Sequence, residues 1–156
     1  MKIETAKKKA KLSLEQLDKM EDKYTKYVKS TASSLFNKGL DSISADQLAE
    51  YGTKLSGVYA YLLNKSAEKR AERDTYEQLY DEAYNDAYLE YKSNDNNVTD
   101  ARAKAQRDCA DIKKVVVAKN YEKNDIENLI RACERLTSFI QSAIKVKEEE
   151  KYKNYD

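Results

Sequence analysis

Apolar residues recur at steps of three and four along most of the chain, which is the spacing of one face of an α-helix. The first such series is Leu14, Leu17, Met20, Tyr24, Val28, Thr31 and Leu35. Ser13 and Gln16 stand before it with the spacing of a capping box, and Gly39 follows it where a glycine often ends a helix. The pattern predicts a helix over residues 13–38.

A second apolar series begins after a short polar interval and continues much further. Its positions are Leu48, Tyr51, Leu55, Val58 and Leu62, and later Tyr76, Tyr80, Ala83, Ala87 and Tyr91. Ser44 and Gln47 form another capping box, so the series predicts a helix over residues 45–92. Gly52 and Gly57 each cost roughly 1 kcal/mol inside a helix, which predicts a bend or a close helix crossing there.

Residues 93–97, with the sequence SNDNN, have a composition typical of a turn. Thr99 is the predicted N-cap of the next helix, and Val98 is the predicted apolar staple residue before it. Two apolar seams follow, first Ala105, Cys109, Ile112 and Val116, then Ile126, Leu129, Cys133, Leu136, Ile140, Ala143 and Lys147. The second seam has coiled-coil spacing, and the helix is predicted over residues 99–150.

Three helices predict an all-α fold, namely an elongated antiparallel helical hairpin or coiled coil with an additional N-terminal helix. The chain has no proline and three glycines, which favours long helices. Charged residues make up 37% of the 156 residues and the mean hydropathy is −0.92, so the charges must lie on exposed helix faces. We expect one all-helical domain over residues 13–156, preceded by a flexible basic leader over residues 1–12.

Folding the hairpin at residues 93–98 places residue 70 opposite residue 121, and the apolar series thins at both places. The polar belt that results contains six basic residues, Lys65, Lys69, Arg70, Arg73, Lys119 and Lys123. One interpretation is a phosphate-binding patch for single-stranded nucleic acid. The other is a solvated section, salt-bridged through Glu68, Glu72, Asp74 and Glu122, or a point where the helices break.

Five tyrosines follow the belt along one side of the second helix, Tyr76, Tyr80, Tyr84, Tyr88 and Tyr91. One interpretation is a packing seam against the small residues of the return helix, because small side chains fit opposite large ones. The alternatives are a subunit interface in a homo-oligomer and a platform on which bases stack. Residues 76–91 carry five acids and no base, and this charge of −5 favours packing over stacking because it repels a polyanion.

Residues that many enzymes use are missing from this sequence. There is no histidine, which removes the commonest general base and the Ser–His and Cys–His nucleophile pairs. The three glycines are isolated, so they form no phosphate-binding loop. Cys109 and Cys133 fall on apolar helical positions with no zinc-motif spacing, which predicts buried thiols in a reducing compartment. We expect no enzyme activity, no catalytic residue, no cofactor and no metal.

No apolar run approaches the length of a membrane span or of a signal peptide. We therefore expect a cytoplasmic protein without a membrane partner. The net charge of +1 gives no global attraction to nucleic acid, although residues 101–123 carry +4 from seven bases and three acids. Local basic surfaces are thus compatible with a neutral total.

Three segments resemble phage recombination mediators of the UvsY type over residues 58–149. They are VYAYLLNKSAEKRAERDTYEQLYDEAYNDAYLEYKS, NVTDARAKAQRD and LIRACERLTSFIQSAIKVKEEE. The resemblance implies a helical subunit of a ring-like homo-oligomer, in the host cytoplasm, that binds single-stranded DNA. It also implies a recombinase and a single-strand-binding protein as partners, with DNA contacts at Lys65, Lys69, Arg70 and Arg73.

Two functions from different classes follow from these observations. The first is a single-stranded DNA-binding recombination mediator or accessory protein that helps to load a recombinase. The alternative is a phage structural or assembly protein, a helical scaffold or virion component, that acts through protein–protein contacts. A coiled-coil adaptor for a host protein is a third hypothesis.

Overall fold

The computed structural model describes residues 23–94 and 96–153, and the chain is helical through nearly all of them. Helix α1 is Lys23–Lys38 and is followed by a single turn of 3-10 helix, Leu40–Ser42. Helix α2 is Ala45–Ser93, α3 is Val98–Asp108 and α4 is Ala110–Lys153. The predicted all-α class and helical hairpin with an N-terminal helix are confirmed.

Local signals at the start of α2 and the end of α1 act as the sequence predicts. The Ser44 hydroxyl oxygen accepts from the Gln47 backbone N–H at 3.2 Å, while the Ser44 N–H donates to Gln47 Oε1 at 3.0 Å. Gly39 follows α1 with φ 74° and ψ 149°, a backbone region that is almost confined to glycine. The predicted capping box at Ser13 and Gln16 lies outside the described residues.

The predicted start of α3 is wrong by two residues. Asn97, not Thr99, is the N-cap, and its Oδ1 accepts from the Asp100 backbone N–H at 2.9 Å. Its side-chain amide also donates to the Asp100 carboxylate at 2.6 Å, so two hydrogen bonds join Asn97 to Asp100. Val98 consequently becomes the first helical residue and is 41% exposed, which also makes its prediction as a preceding staple residue wrong.

The return segment is interrupted at one residue that the sequence did not reveal. Cys109, with φ −95° and ψ 5°, separates α3 from α4. Helical hydrogen bonding nevertheless passes across it, because its N–H donates to the Ala105 carbonyl and its carbonyl accepts from the Lys113 N–H. Cys109 is therefore a local distortion and not the end of the helical path.

Helix α2 passes without a break through both glycines, and neither α2 nor α4 breaks in the polar belt. A Cβ added at Gly52 would lie 3.6 Å from Ile140 Cγ2, which is ordinary van der Waals contact. A Cβ at Gly57 would meet no atom within 4 Å. The predicted close helix crossing therefore does not require glycine at these positions.

The described chain divides into two compact units. The hairpin unit, residues 67–94 and 96–124, contains the second part of α2, all of α3 and the start of α4. It buries Leu79, Ala83, Ala87, Ala101, Ala105, Cys109, Ile112, Val115 and Val116. The prediction that residues 13–156 form a single domain stays a prediction.

The three-helix unit, residues 23–66 and 125–153, contains α1, the first part of α2 and the rest of α4. Its core is built from Val28, Leu35, Ile43, Leu48, Leu55, Val58, Leu62, Cys133, Leu136, Ile140 and Ala143. Full burial of a leucine or isoleucine side chain stabilises a fold by about 1.5–3 kcal/mol, so these residues hold the three helices together.

Candidate functional site

The polar belt of the hairpin unit is centred on four charged side chains. Lys69 and Glu72 belong to α2, and Lys119 and Glu122 belong to α4. Lys69 Nζ lies 2.9 Å from Oε2 of Glu72 and 2.9 Å from Oε2 of Glu122. Lys119 Nζ lies 3.0 Å and 3.4 Å from the same two atoms. These contacts match the predicted pairing of residue 70 with residue 121.

The four side chains of this network are partly withdrawn from water. Their exposed fractions are 18% for Lys69, 32% for Glu72, 12% for Lys119 and 25% for Glu122. Burial disfavours the charged form of Lys69, but hydrogen bonds and attraction from the two glutamates outweigh it and raise the Lys69 pKa. Burial likewise opposes the charge of Glu72, yet Lys69 and Lys119 hold its pKa below the ordinary value.

Arg73, the next predicted DNA contact along α2, also lies among acids. Its guanidinium approaches the carboxylate of Asp74 at 2.7 Å and that of Glu77 at 3.3 Å. Lys69, Lys119 and Arg73 thus contact carboxylates in the manner of the salt-bridged alternative. A phosphate that bound Lys69 or Lys119 would have to displace a glutamate that is already in place.

The other three belt bases differ in their burial and in the unit to which they belong. Arg70 is exposed and Lys123 is half-buried, and both belong to the hairpin unit. Lys65 is half-buried in the three-helix unit. The structure therefore gathers Lys69 and Lys119 around shared carboxylates, and DNA binding by any of the six stays a prediction.

The tyrosines flank the buried face of α2 and do not occupy its centre. That centre is taken by Leu79, Ala83 and Ala87, while all five tyrosines are half-buried. Tyr76, Tyr80 and Tyr84 pack against the core of the hairpin unit. The Tyr84 ring stacks with that of Tyr80 at a centroid distance of 6.0 Å and with that of Tyr88 at 6.4 Å.

Polar groups from the return segment meet this tyrosine row. The Tyr91 hydroxyl donates to the Asp108 carboxylate, which raises the Tyr91 pKa. Lys113 Nζ lies 4.8 Å from the Tyr80 ring centroid, and Lys104 Nζ lies 5.6 Å from that of Tyr91. These are cation–π distances, so the basic return segment covers part of the acidic tyrosine segment.

A shallow groove of about 570 Å³ opens beside Tyr80 in the hairpin unit. Its lining residues are Tyr80, Gln106, Ala110, Lys113, Lys114, Val117 and Ala118. Lys114 pairs with Asp111 at 3.0 Å, while Val117 is 44% exposed. The groove combines an aromatic ring, two lysines and an amide, a combination that the sequence did not reveal because α2, α3 and α4 contribute it jointly.

Both phenylalanines of the chain form one surface pair in the three-helix unit, which sequence reasoning also missed. Phe36 of α1 and Phe139 of α4 have ring centroids 5.7 Å apart, and Phe36 is 68% exposed. A signal was present in the sequence, since each residue directly neighbours a residue of an apolar series, Leu35 or Ile140. A helix turns about 100° per residue, so such neighbours lie beside the core face: Phe139 is half-buried against the core, whereas Phe36 is mostly exposed.

The remaining predicted features concern the thiols and the membrane. Cys109 and Cys133 are buried, as predicted, and burial raises the pKa of the Cys133 thiol to about 11. Within residues 23–94 and 96–153, no three His, Cys, Asp or Glu side chains come together in a way that could hold a metal ion. In that same part of the chain, every helix is too short or too polar to cross a membrane.

Comparison with known proteins returned no similarity: the chain matches no protein-family model, no curated protein and no solved structure. The resemblance to recombination mediators therefore stays a prediction.

Proposed function

We propose that the chain is a helical scaffold or assembly protein that acts through protein–protein contacts and associates with further copies of itself. The observation that carries the proposal is the aromatic pair of Phe36 and Phe139. The chain has only two phenylalanines and no tryptophan, and it pairs them in the three-helix unit, where Phe139 is half-buried against the core and Phe36 is 68% exposed. Aromatic residues are enriched in protein interfaces, where they contribute much of the binding energy.

The surface around this pair extends along α4. Val146 follows Phe139 by seven residues, hence on the same side of the helix, and is 53% exposed. Burying apolar surface against another molecule contributes about 25 cal/mol per Å², so the exposed aromatic and aliphatic side chains of this unit favour a protein partner. A second copy of the chain presents the same surface, which makes a self-complementary contact possible.

The charges of the belt support the same proposal. Lys69 and Lys119 already share the carboxylates of Glu72 and Glu122, so they offer little positive potential to a phosphate backbone. Phe36, by contrast, is 68% exposed, and its ring contacts that of the half-buried Phe139 at an interplanar angle of 32°. An apolar protein surface would therefore bury the exposed Phe36 ring, whereas a nucleic acid would find the belt lysines already paired with carboxylates.

Light scattering coupled to size exclusion tests self-association directly. We expect the wild-type mass to exceed the 18.0 kDa of one chain and to rise with concentration. Phe36→Ser should lower the mass at equal concentration, because it removes most of the exposed apolar surface of the pair. Leu89→Ser is the matched control, since Leu89 is 63% exposed but lies in the hairpin unit. A monomer at every concentration, or an equal effect of both variants, contradicts the proposal.

Single-stranded DNA binding is a second candidate, and the groove beside Tyr80 is the observation that favours it. Lys113 and Lys114 supply positive charge and Tyr80 an aromatic ring, the two components of single-strand binders. The resemblance to recombination mediators supports the same class of ligand. On this hypothesis the DNA contacts belong to the groove and not to the ion-paired centre of the belt.

Oligonucleotide titrations distinguish this second candidate from the first. Lys113→Glu with Lys114→Glu should weaken binding of a single-stranded oligonucleotide at least tenfold and reduce its salt dependence. Arg70→Glu is the control for the belt, because the Arg70 side chain is exposed, whereas Lys69 is partly buried between Glu72 and Glu122. No binding at low salt excludes this candidate and leaves the first untouched.

A further inference from the structure

In the hairpin unit, the second part of α2 repeats one pattern around its buried positions. Three buried residues are each preceded by an exposed polar residue and followed by a half-buried tyrosine. The three triplets are Gln78, Leu79 and Tyr80, then Glu82, Ala83 and Tyr84, then Asp86, Ala87 and Tyr88. A helix turns about 100° per residue, so the residues before and after a buried position lie on opposite flanks. The tyrosines of the triplets therefore share one flank of α2, and the acids lie on the other.

Glu90 continues the acidic flank, because it follows Asp86 by four residues, slightly more than one helical turn. Glu82, Asp86 and Glu90 are all exposed, and we name them the acidic side of the hairpin unit. They are three of the five acids of residues 76–91. Most of the negative charge of this segment is therefore turned away from the tyrosines.

The return segment is divided in the same way. Its residues that directly follow a buried position share one flank, and they are Arg102, Gln106, Ala110, Lys113 and Val117. All of them except Arg102 line the groove beside Tyr80. We name these five residues, together with the tyrosines of the triplets, the groove side of the hairpin unit. The groove side contains two exposed bases, Arg102 and Lys113, and no acid.

The groove side and the acidic side occupy the same length of the hairpin. Lys113 Nζ lies 4.8 Å from the Tyr80 ring centroid, and Lys104 Nζ lies 5.6 Å from that of Tyr91. Residues 102–113 therefore run alongside roughly residues 80–92 of α2, the stretch that contains the acidic side. A second hairpin unit that lies beside the first in the same direction thus brings its acidic side against the groove side.

The chemistry of the groove side suits this occupant. Arg102 and Lys113 attract carboxylates, and the Gln106 amide and the tyrosine hydroxyls can donate hydrogen bonds to them. The groove of about 570 Å³ gives room for side chains of a neighbour, next to the apolar surface of Ala110 and Val117. Opposite charges on facing surfaces favour one partner and one register over others.

We propose that the groove side of one hairpin unit receives the acidic side of the hairpin unit of a second copy, with both hairpins running in the same direction. Arg102 and Lys113 of one copy then face Glu82 and Glu90 of its neighbour. The contact rests on the proposed self-association but uses a different surface from that of Phe36. Because it joins two unlike surfaces, each copy keeps one of each for further copies, and association continues beyond a dimer.

Sedimentation equilibrium of the full chain with Phe36→Ser isolates this contact from the aromatic pair. We expect the variant to associate at low salt, with a Kd at least about tenfold higher in 1 M salt, where the screening length is about 3 Å. A monomeric variant beside an associating wild type overturns this contact and leaves the proposed function standing. Association that is unchanged by Phe36→Ser but sensitive to salt supports this contact and overturns the role of Phe36. Monomers in both samples overturn both proposals.

Charge exchange on the Phe36→Ser background tests which surfaces meet. The groove variant is Arg102→Glu with Lys113→Glu, and the acidic-side variant is Glu82→Lys with Glu90→Lys. Each alone should raise the Kd at least about tenfold, because like charges then face one another. An equimolar mixture should recover association, since every groove side can then meet an acidic-side position of opposite charge. Recovery supports the proposal, and a mixture that associates no better than either variant overturns it.

Two controls accompany the mixture. Glu148→Lys with Glu149→Lys reverses two exposed acids of the three-helix unit and should leave the Kd unchanged. An equal loss in this control would assign the effect to net charge and overturn the proposal. Circular dichroism checks that each variant keeps its helix content, and the single reversals Lys113→Glu and Glu82→Lys replace a pair that does not.

Single-stranded DNA is the other negatively charged ligand that the groove side could take. If a DNA strand and not a second copy occupies it, the groove variant loses oligonucleotide binding while the Kd of self-association is the same in both variants and their parent. That result overturns this proposal. If a second copy occupies it, the chain that associates should bind a single-stranded oligonucleotide more weakly as its concentration rises, because the two ligands compete.

Discussion

Lys69 and Lys119 share two carboxylates inside the hairpin unit, and this sharing determines what the four charges do. Each lysine has a glutamate on its own helix and another on the facing helix. Removing one member leaves the others partly buried with fewer partners, which costs more than the loss of an exposed ion pair. The network therefore links α2 to α4 and is specific for their register.

Glu72→Gln should destabilise the protein, because Lys69 and Lys119 then share Glu122 alone. We expect the free energy of unfolding to fall by about 1–3 kcal/mol, between the values for exposed and buried pairs. Urea unfolding at pH 7 measures this difference. Glu82→Gln, at an exposed acid on the same helix, is the control and should change stability by less than about 0.5 kcal/mol.

The same variant should alter the response to acid. The pKa of Glu72 is lowered in the folded state, so its stabilisation is present above its ordinary value of 4.5 and is lost as the pH falls through the lower folded pKa. Unfolding free energies measured between pH 5 and pH 2 should decline less in Glu72→Gln than in the wild type. An identical acid dependence would contradict the assigned role of Glu72.

Cys133 should be almost inert towards thiol reagents in the folded protein. Its pKa of about 11 keeps it protonated near neutral pH, and the thiolate is the reactive form. We expect reaction with a disulfide reagent at pH 8 to be at least a hundredfold slower in the folded than in the urea-unfolded chain. Ala60→Cys, which introduces a thiol at an exposed position of the same unit, should react quickly in both states and serves as the control.

At the scale of helices, capping residues decide where each helix begins. The position of a residue within the repeat of apolar residues decides whether its side chain is buried. Asn97 caps α3 although Thr99 also has a capping side chain, because Asn97 and Asp100 satisfy one another three residues apart. Phe36 lies on α1 one residue after the core position Leu35 and is therefore turned outwards. In both cases a shift of one or two residues changes the role of the side chain.

Asn97→Ala should weaken the start of α3. Loss of the hydrogen bond to the Asp100 N–H is expected to reduce the free energy of unfolding by about 1 kcal/mol, as for other N-cap replacements. Thr99→Ala is the matched control, since Thr99 lies within the first turn and should have an effect below about 0.5 kcal/mol. Thermal or urea unfolding measures both, and a larger effect of Thr99→Ala would contradict the observed cap.

At the scale of the whole molecule, the two units differ in what they bury. The three-helix unit buries large side chains, including Leu35, Leu48, Leu55, Leu62 and Ile140. The hairpin unit buries four alanines along with a few larger residues. More apolar area per residue is therefore removed from water in the three-helix unit, and its local stability should be greater.

Hydrogen exchange measured by mass spectrometry tests this difference. Amides of residues 48–62 in the three-helix unit should exchange more slowly than those of residues 79–91 in the hairpin unit. Both segments belong to α2, so intrinsic helix length does not distinguish them. Equal exchange would indicate that only global unfolding opens either segment, and faster exchange in residues 48–62 would contradict the expected order.

Much of the fold could be predicted from the sequence because helix periodicity is a local property. Steps of three and four identified the helices and most of their buried positions, and the Ser44–Gln47 pair marked the start of α2. The turn at residues 93–98, together with a constant rise per residue, predicted the pairing of residue 70 with residue 121. Neither inference required knowledge of side-chain positions across the hairpin.

The candidate site could be predicted only in part, because it depends on side chains brought together from different helices. The sequence alone determined the helical hairpin, its register and the position of a polar belt. Only the tertiary structure decided that Glu72 and Glu122 neutralise Lys69 and Lys119, that the tyrosines flank an alanine-lined face, and that Phe36 meets Phe139. The physical reason is that the periodicity of apolar residues specifies which face of a helix a residue occupies. The contacts of a long side chain depend instead on its distance from groups on the facing helix and on the burial of both.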